Sequence, residues 1–203
     1  MKRPLKALVF AALLAGCAPP PRMPFVPHPH RTWAAHRRKL RAIRGFRLAA
    51  QGGVRSGGHG GSLLLHWIVT PAASQMTGYG PFGRLIFRLR ARPGAARLVT
   101  ERGRFRGADA KVLLARATGW RLPVSGLRYW ILGVPAPGSS ARTRIDRAGL
   151  LASLRQAGWS IRYRRYELTR WGRLPRVLVL RRPRSGRLPR IVVTLRIERW
   201  LKA

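Results

Sequence analysis

Acidic residues are scarce in this chain of 203 residues: Glu101, Asp109, Asp146, Glu167 and Glu198 stand against 42 lysines and arginines. Most cations therefore have no acidic partner. A formal charge of +37 directs the protein toward anions, whether nucleic acid, anionic lipid headgroups or lipopolysaccharide. Nearly all these cations are arginine, and an arginine-rich codon usage explains the excess as well as a function does. Cysteine is scarcer still: Cys17 alone excludes an internal disulfide, a dithiol redox pair and a cysteine-based zinc site. After residue 16 no apolar run is long enough to span a bilayer, and no internal repeat is visible. Catalytic patterns are missing too. There is no Gly-x-Ser-x-Gly elbow, His59 and His66 have no carboxylate nearby in sequence, and Gly57–Gly61 lacks the Lys-Ser/Thr of a phosphate loop. Asp109 and Asp146 fall at capping or turn positions, so the chain reads as no enzyme, with no metal and no cofactor.

What is present is apolar surface, 46% of residues, with seven Trp, four Tyr and six Phe, enough to offset the entropy of ordering one domain. The N-terminus reads as an address. Lys2, Arg3 and Lys6 precede the apolar run Ala7 to Leu14, and small residues then lead into Cys17. This is the order of an export signal, too short to cross a membrane. Prolines at 19, 20, 21, 24, 27 and 29 make residues 18–30 an extended tether, in which His28 and His30 read as spacers rather than metal ligands.

The folded part follows by period. Trp33, Leu40 and Ile43 predict an amphipathic helix. Phe46, Leu48 and Ala50 alternate, and Gly52-Gly53 and Gly57-Gly58 are expected to break that strand into a loop. Leu63, Leu65, Trp67 and Val69 form one face of a strand whose other face is also apolar. Leu85, Phe87, Leu89 and Ala91 oppose Arg84, Arg88 and Arg90, so that strand is oily on one side and wet on the other. Ala96, Leu98 and Thr100 continue after a turn at Pro93-Gly94. Asp109 caps a helix with Leu113, Leu114 and Ala117 inward, ended by Gly119 and Pro123. A second short helix aligns Leu127, Trp130 and Ile131, with Gly133 at its end. Leu150, Ala152 and Leu154 lead into a hairpin at Ala157-Gly158, and Trp159, Ile161 and Tyr163 lead out. Val177 and Val179, then Val193, Leu195 and Ile197, complete the strands. Helix, strands, two helices and strands make an antiparallel α+β domain, one curled sheet with helices on its concave side.

Several segments resemble known sequences. The small residues before Cys17 resemble a bacterial lipobox, which implies cleavage at that point, acylation of Cys17 and, with Ala18 rather than Asp next, the outer membrane. Gly126-Leu127-Arg128-Tyr129-Trp130-Ile131-Leu132-Gly133-Val134-Pro135 resembles the most recognisable motif of the LolB family. Gln156 to Tyr163 resembles a second motif and Gly80-Pro81-Phe82-Gly83 a third. Asp109-Ala110, Gly119, Leu122-Pro123 and Leu195 to Trp200 follow in the family's order. The resemblance runs from Trp33 to the end and divides the chain into a signal peptide (1–16), a lipidated tether (17–32) and a lipoprotein-binding domain (33–203).

That family implies an incomplete antiparallel barrel closed by helices around an apolar cavity for acyl chains. It implies a partner carrier, LolA, an acylated lipoprotein as cargo, and release into the phospholipid of the outer membrane by a monomer, without nucleotide or metal. The family's protruding leucine is replaced by Phe82, held between Pro81 and Gly83 as a membrane-insertion turn. Candidates for the cavity lining are Leu65, Trp67, Leu85, Phe87, Trp130, Trp159, Tyr163, Val193 and Leu195, which composition alone assigns to ordinary core. The competing reading is an arginine-rich binder of nucleic acid or another anionic polymer. An export signal argues against it.

Overall fold

The computed structural model describes residues 25–118, 124–186 and 189–202. Cys17, the signal, most of the tether, the predicted stop at Gly119 and Pro123, and the Leu122-Pro123 segment lie outside them.

Helix α1 (Pro29–Arg41) buries Trp33 and Leu40, seven residues apart on one face. It starts inside the predicted tether, because Pro29 occupies a first-turn position where its missing N–H costs nothing. Six strands follow: β1 (Phe46–Ser56), β2 (His59–Val69), β3 (Ser74–Tyr79), β4 (Leu85–Arg92), β5 (Ala95–Thr100) and β6 (Gly103–Gly107). Helices α2 (Ala110–Thr118) and α3 (Val124–Trp130) intervene before β7 (Ala141–Ile145), β8 (Leu151–Gln156), β9 (Trp159–Thr169), β10 (Gly172–Arg182) and β11 (Ile191–Leu201).

All eleven strands form one antiparallel sheet in the order β6-β5-β4-β3-β2-β1-β11-β10-β9-β8-β7. It is two meanders joined where β1 pairs with β11, and β6 and β7 remain as its edges. Each edge carries exposed arginines, Arg104 and Arg106 on one, Arg142 and Arg144 on the other, which discourages pairing with another chain. The hairpin turns define two rims. One bears Gly57-Gly58, Pro81–Gly83, Glu101-Arg102, Ala157-Gly158 and the β10–β11 connection. The opposite rim bears Pro93-Gly94, the β7–β8 turn and α1, whose His36 Nε2 lies 2.9 Å from the Arg173 carbonyl oxygen.

One expectation needs correction. Gly52-Gly53 does not break β1, which runs on through Val54 paired on both sides; the reversal comes only at Gly57-Gly58, both with positive φ, as a tight hairpin turn requires. In β10 the core face is Leu174, Leu178 and Leu180, while Val177 is half-buried and Val179 lies outside the main core cluster. Two compensating register shifts between Pro175 and Leu178 turn Arg176 outward, while Leu174 and Leu178 keep the same face.

Candidate functional site: an apolar cavity and an exposed turn

Seven adjacent strands, β4 to β9 in sheet order, curl so that their inner faces converge beneath α2 and α3. The hollow between them is lined by Gly52 and Val54 of β1, Leu63 and Leu65 of β2, Met76, Phe87, Leu114, Val124, Leu127, Trp159, Leu180, Val193 and Leu195. Every lining residue is apolar. Gly52, Val54, Leu180 and Trp159 come from the halves of their strands nearest the rim that bears Phe82. The free space is about 60 Å³, room for a few water-sized groups and far short of a long acyl chain. Leu114 of α2 and Val124 and Leu127 of α3 close it from the helix side.

The site is built from local choices. Asp109 Oδ1 accepts the Lys111 N–H at 2.7 Å and starts α2, turning Leu113 and Leu114 inward. Gly78 makes room for Phe87 on the neighbouring strand: a β-carbon there would stand 2.5 Å from the Phe87 ring. Gly133, at φ +80, ends the turn after α3.

Of the nine predicted lining residues, Leu65, Phe87, Trp159, Val193 and Leu195 meet at this cavity. Trp67, Leu85, Trp130 and Tyr163 do not. Trp67 is buried with its indole N–H donating to Ser74 Oγ at 2.7 Å, and Leu85 is half-buried at the start of β4. Trp130 donates its indole N–H to Gln156 Oε1 at 2.8 Å, and its carbonyl accepts the Tyr163 hydroxyl at 3.0 Å. Burial pushes the Tyr163 phenol far above its ordinary pKa, so it stays a neutral donor. Gln156 is the centre of this network. Its Oε1 also accepts the Ala136 N–H at 2.9 Å, and its Nε2 donates to the Ala136 carbonyl at 2.8 Å and to Ser139 at 3.0 Å. Sequence reasoning missed Gln156, although it opens the second motif. A lone Gln before a tight turn gives no periodic signal. Gly52, Val54, Leu63, Met76, Leu114, Val124, Leu127 and Leu180 also line the cavity and were not among its predicted residues.

Phe82 sits at the tip of the β3–β4 turn, wholly exposed at 107% of its reference area. Its backbone is left-handed, φ 59 and ψ 22, a conformation that bulky residues rarely adopt and that costs about 1–3 kcal/mol. Gly83 follows at φ 75, and Pro81 precedes it. Arg84, next in the chain, is paired with Glu101 across the neighbouring turn at 3.2 Å.

The remaining acids are likewise engaged: Asp146 accepts the Ala148 and Leu150 N–H groups, Glu167 pairs with Arg176, and Glu198 accepts from Gln51. The family described as "Outer membrane lipoprotein LolB" matches residues 44–200. The chain belongs to the LolB family. It is 36% identical over 175 residues to the outer-membrane lipoprotein LolB of Chromohalobacter salexigens, covering 85% of this chain and 81% of the relative. To the Pseudomonas fluorescens LolB it is 35% identical over 196 residues, 95% and 92% of the two chains. Among solved structures, a LolA superfamily protein from Nitrosomonas europaea shares the fold at a TM-score of 0.50 and 10% identity, covering 84% of this chain and 93% of its own. The three LolB motifs map onto α3 with its ending turn, the β8–β9 hairpin around Gln156, and the Phe82 turn.

Proposed function

We infer that this chain is an outer-membrane receptor, anchored through acylated Cys17, that accepts lipoproteins from a LolA-type periplasmic carrier and inserts them into the membrane. Membership of the LolB family supports the outer-membrane location and the transport role. The observation that carries the transfer step is Phe82: a full aromatic ring facing water on a strained turn, at the rim nearest the apolar cavity. Neither the strain nor the exposure favours folding in water, and both are offset when the ring enters a bilayer, which gains roughly 1.5–3 kcal/mol. That is enough to dock a tethered domain and weak enough to reverse.

Acyl chains bind where Leu114, Val124 and Leu127 now pack. Exchanging one apolar contact for another costs little, because hydrophobic attraction has no directional demand. Nothing in this sequence of events needs a covalent step. Cargo acceptance enlarges the cavity by moving α2 and the first turn of α3, and a monomer with phospholipid at its rim completes delivery.

Phe82→Glu separates the two stages. Carrier-to-receptor transfer should proceed as in the parent, and receptor-to-vesicle transfer should fall at least tenfold, with Phe82→Leu close to neutral. Unchanged delivery by the Glu variant would refute the insertion role, and equal loss of both stages would assign Phe82 to the fold instead.

A further inference from the structure

The outer face of the sheet holds a row of arginines that the transfer reaction does not use. Arg142 of β7 stands directly opposite Arg155 of β8, Arg155 opposite Ser160, Ser160 opposite Arg181, Arg181 opposite Val192, and Val192 opposite Arg55 of β1. Six neighbouring strands thus place four guanidinium groups along one line, about 24 Å long at the usual strand spacing. Like charges on directly facing positions, such as Arg142 and Arg155, destabilise a sheet. No acid relieves them: among the described residues the ion pairs are Arg84–Glu101 and Arg176–Glu167, and Asp109, Asp146, Glu167 and Glu198 all lie toward the opposite rim. Arg181, in the middle of the row, has its Nε buried with no hydrogen-bond partner. An unsatisfied buried donor on a cation calls for an anionic acceptor.

The surface around the row is hollowed at both ends. One open hollow of about 690 Å³ brings together Arg142, Arg155 and the residues Ser140 and Ser160. The other, about 360 Å³, brings Arg55 and Arg190 to the Gly57-Gly58 turn and His59. Both hollows belong to the rim that bears Phe82.

We propose that this row is a docking surface for the phosphates of an anionic phospholipid bilayer, laying the cavity rim on the membrane while Phe82 penetrates it. The orientation rests on the insertion reading of Phe82; the charge row is an independent observation. Phosphate is a good acceptor for guanidinium forks, and the row is long enough to engage several headgroups at once. Each arginine at an anionic surface is worth about fivefold in partitioning, so removing three weakens the contact on the order of a hundredfold.

The test uses the lipidated full-length protein in vesicles, with one added thiol at Ser185→Cys on this rim or Ala72→Cys on the opposite one. On vesicles with half phosphatidylglycerol, a water-soluble maleimide should label the Ser185→Cys protein at least tenfold more slowly than on phosphatidylcholine vesicles. Labelling of the Ala72→Cys protein should not differ. High salt, or Arg55→Gln, Arg142→Gln and Arg155→Gln together, should abolish the protection and slow delivery only into the anionic vesicles. Equal labelling on the two lipids, protection that survives the triple substitution, or a row that binds DNA without any vesicle protection would each overturn the proposal. Phe82→Glu should lower delivery into both lipids; if it does not, the insertion reading fails while the protection at position 185 still decides the arginine row.

Discussion

Helix α3 joins two regions of the interior that are built in different ways. Its first turn, through Val124 and Leu127, faces Leu63, Phe87 and Leu195 across the apolar cavity, with no polar group among the lining residues. Its last residue, Trp130, is held by the Gln156 amide, the Tyr163 hydroxyl and the backbone around Ala136 and Ser139. Apolar contacts can be exchanged for an acyl chain at little cost, whereas a buried hydrogen bond left unmade costs about 1–3 kcal/mol. On the proposed transfer reading, the Trp130 end serves as a pivot and the cavity end is the part that yields. The strongest motif of the family therefore lies across both, with the yielding turn in one half and its fastening in the other.

The largest expected effect comes from breaking the fastening. Gln156→Leu leaves the buried Trp130 indole N–H and the half-buried Ala136 N–H without their acceptor, a loss of roughly 2–5 kcal/mol. Thermal denaturation should show Tm lowered by roughly 5–15 °C. A variant as stable as the parent would mean that the polar region is not a fixed frame.

Filling the yielding region should act on transfer and spare the fold. Gly52 has ordinary φ, and a β-carbon there would lie 3.4 Å from Leu63 and 3.6 Å from Leu195, normal contacts. Gly52→Val therefore should keep its Tm within a few degrees and accept lipoprotein from the carrier several times more slowly. Unimpaired acceptance would show that cargo does not enter this cavity.

A smaller change refines the frame. Tyr163→Phe removes one donor to the Trp130 carbonyl and should cost about 1 kcal/mol, read as a fall in Tm of about 2–4 °C with transfer intact. The smallest effect lies outside both regions, at His36 on the opposite rim. Burial, the largest cause, and Lys39 lower its pKa from 6.5, against a raising contribution from its bond to Arg173. The unfolded chain then takes up the proton first, so stability declines as pH falls from 6.5 through the lowered folded value. His36→Gln keeps a donor for the carbonyl and should flatten that decline in acid denaturation, with delivery unaffected.

The pattern of the sequence carried the central strands and the helices because each presents one apolar face: Leu85, Phe87 and Leu89 against Arg88 and Arg90 is an unambiguous alternation. The edges were not legible. In β6 and β7 most positions are exposed, so Gly103–Gly107 and Ala141–Ile145 offer no buried face to read. Gly52-Gly53 misled because glycines inside a paired strand look like those of a loop. At the site, Phe82 stood out between Pro81 and Gly83, and its left-handed backbone added the strain that sequence does not show. The division of the aromatic residues between cavity and frame was hidden for a simple reason. Trp159 lines the hollow and Trp130 does not, yet the two rings are neighbours, 6.3 Å apart.

The seam between β1 and β11 has a consequence in time. Val54 finds Val193 across it, and Gly52 finds Leu195, so the two meanders join only through partners most of a domain apart in sequence. Each meander can form from local hairpins, which close in microseconds, but the seam must wait for a long loop to close. A chain delivered N-terminus first through a translocation channel presents β1 long before β11 exists beside it. Throughout that interval β1 is an edge, with Gly52, Gly53 and Val54 bare on one side, and the cavity has only half its wall. High contact order makes this the slow event of maturation, so the receptor becomes competent for cargo only when its final strand has crossed and docked.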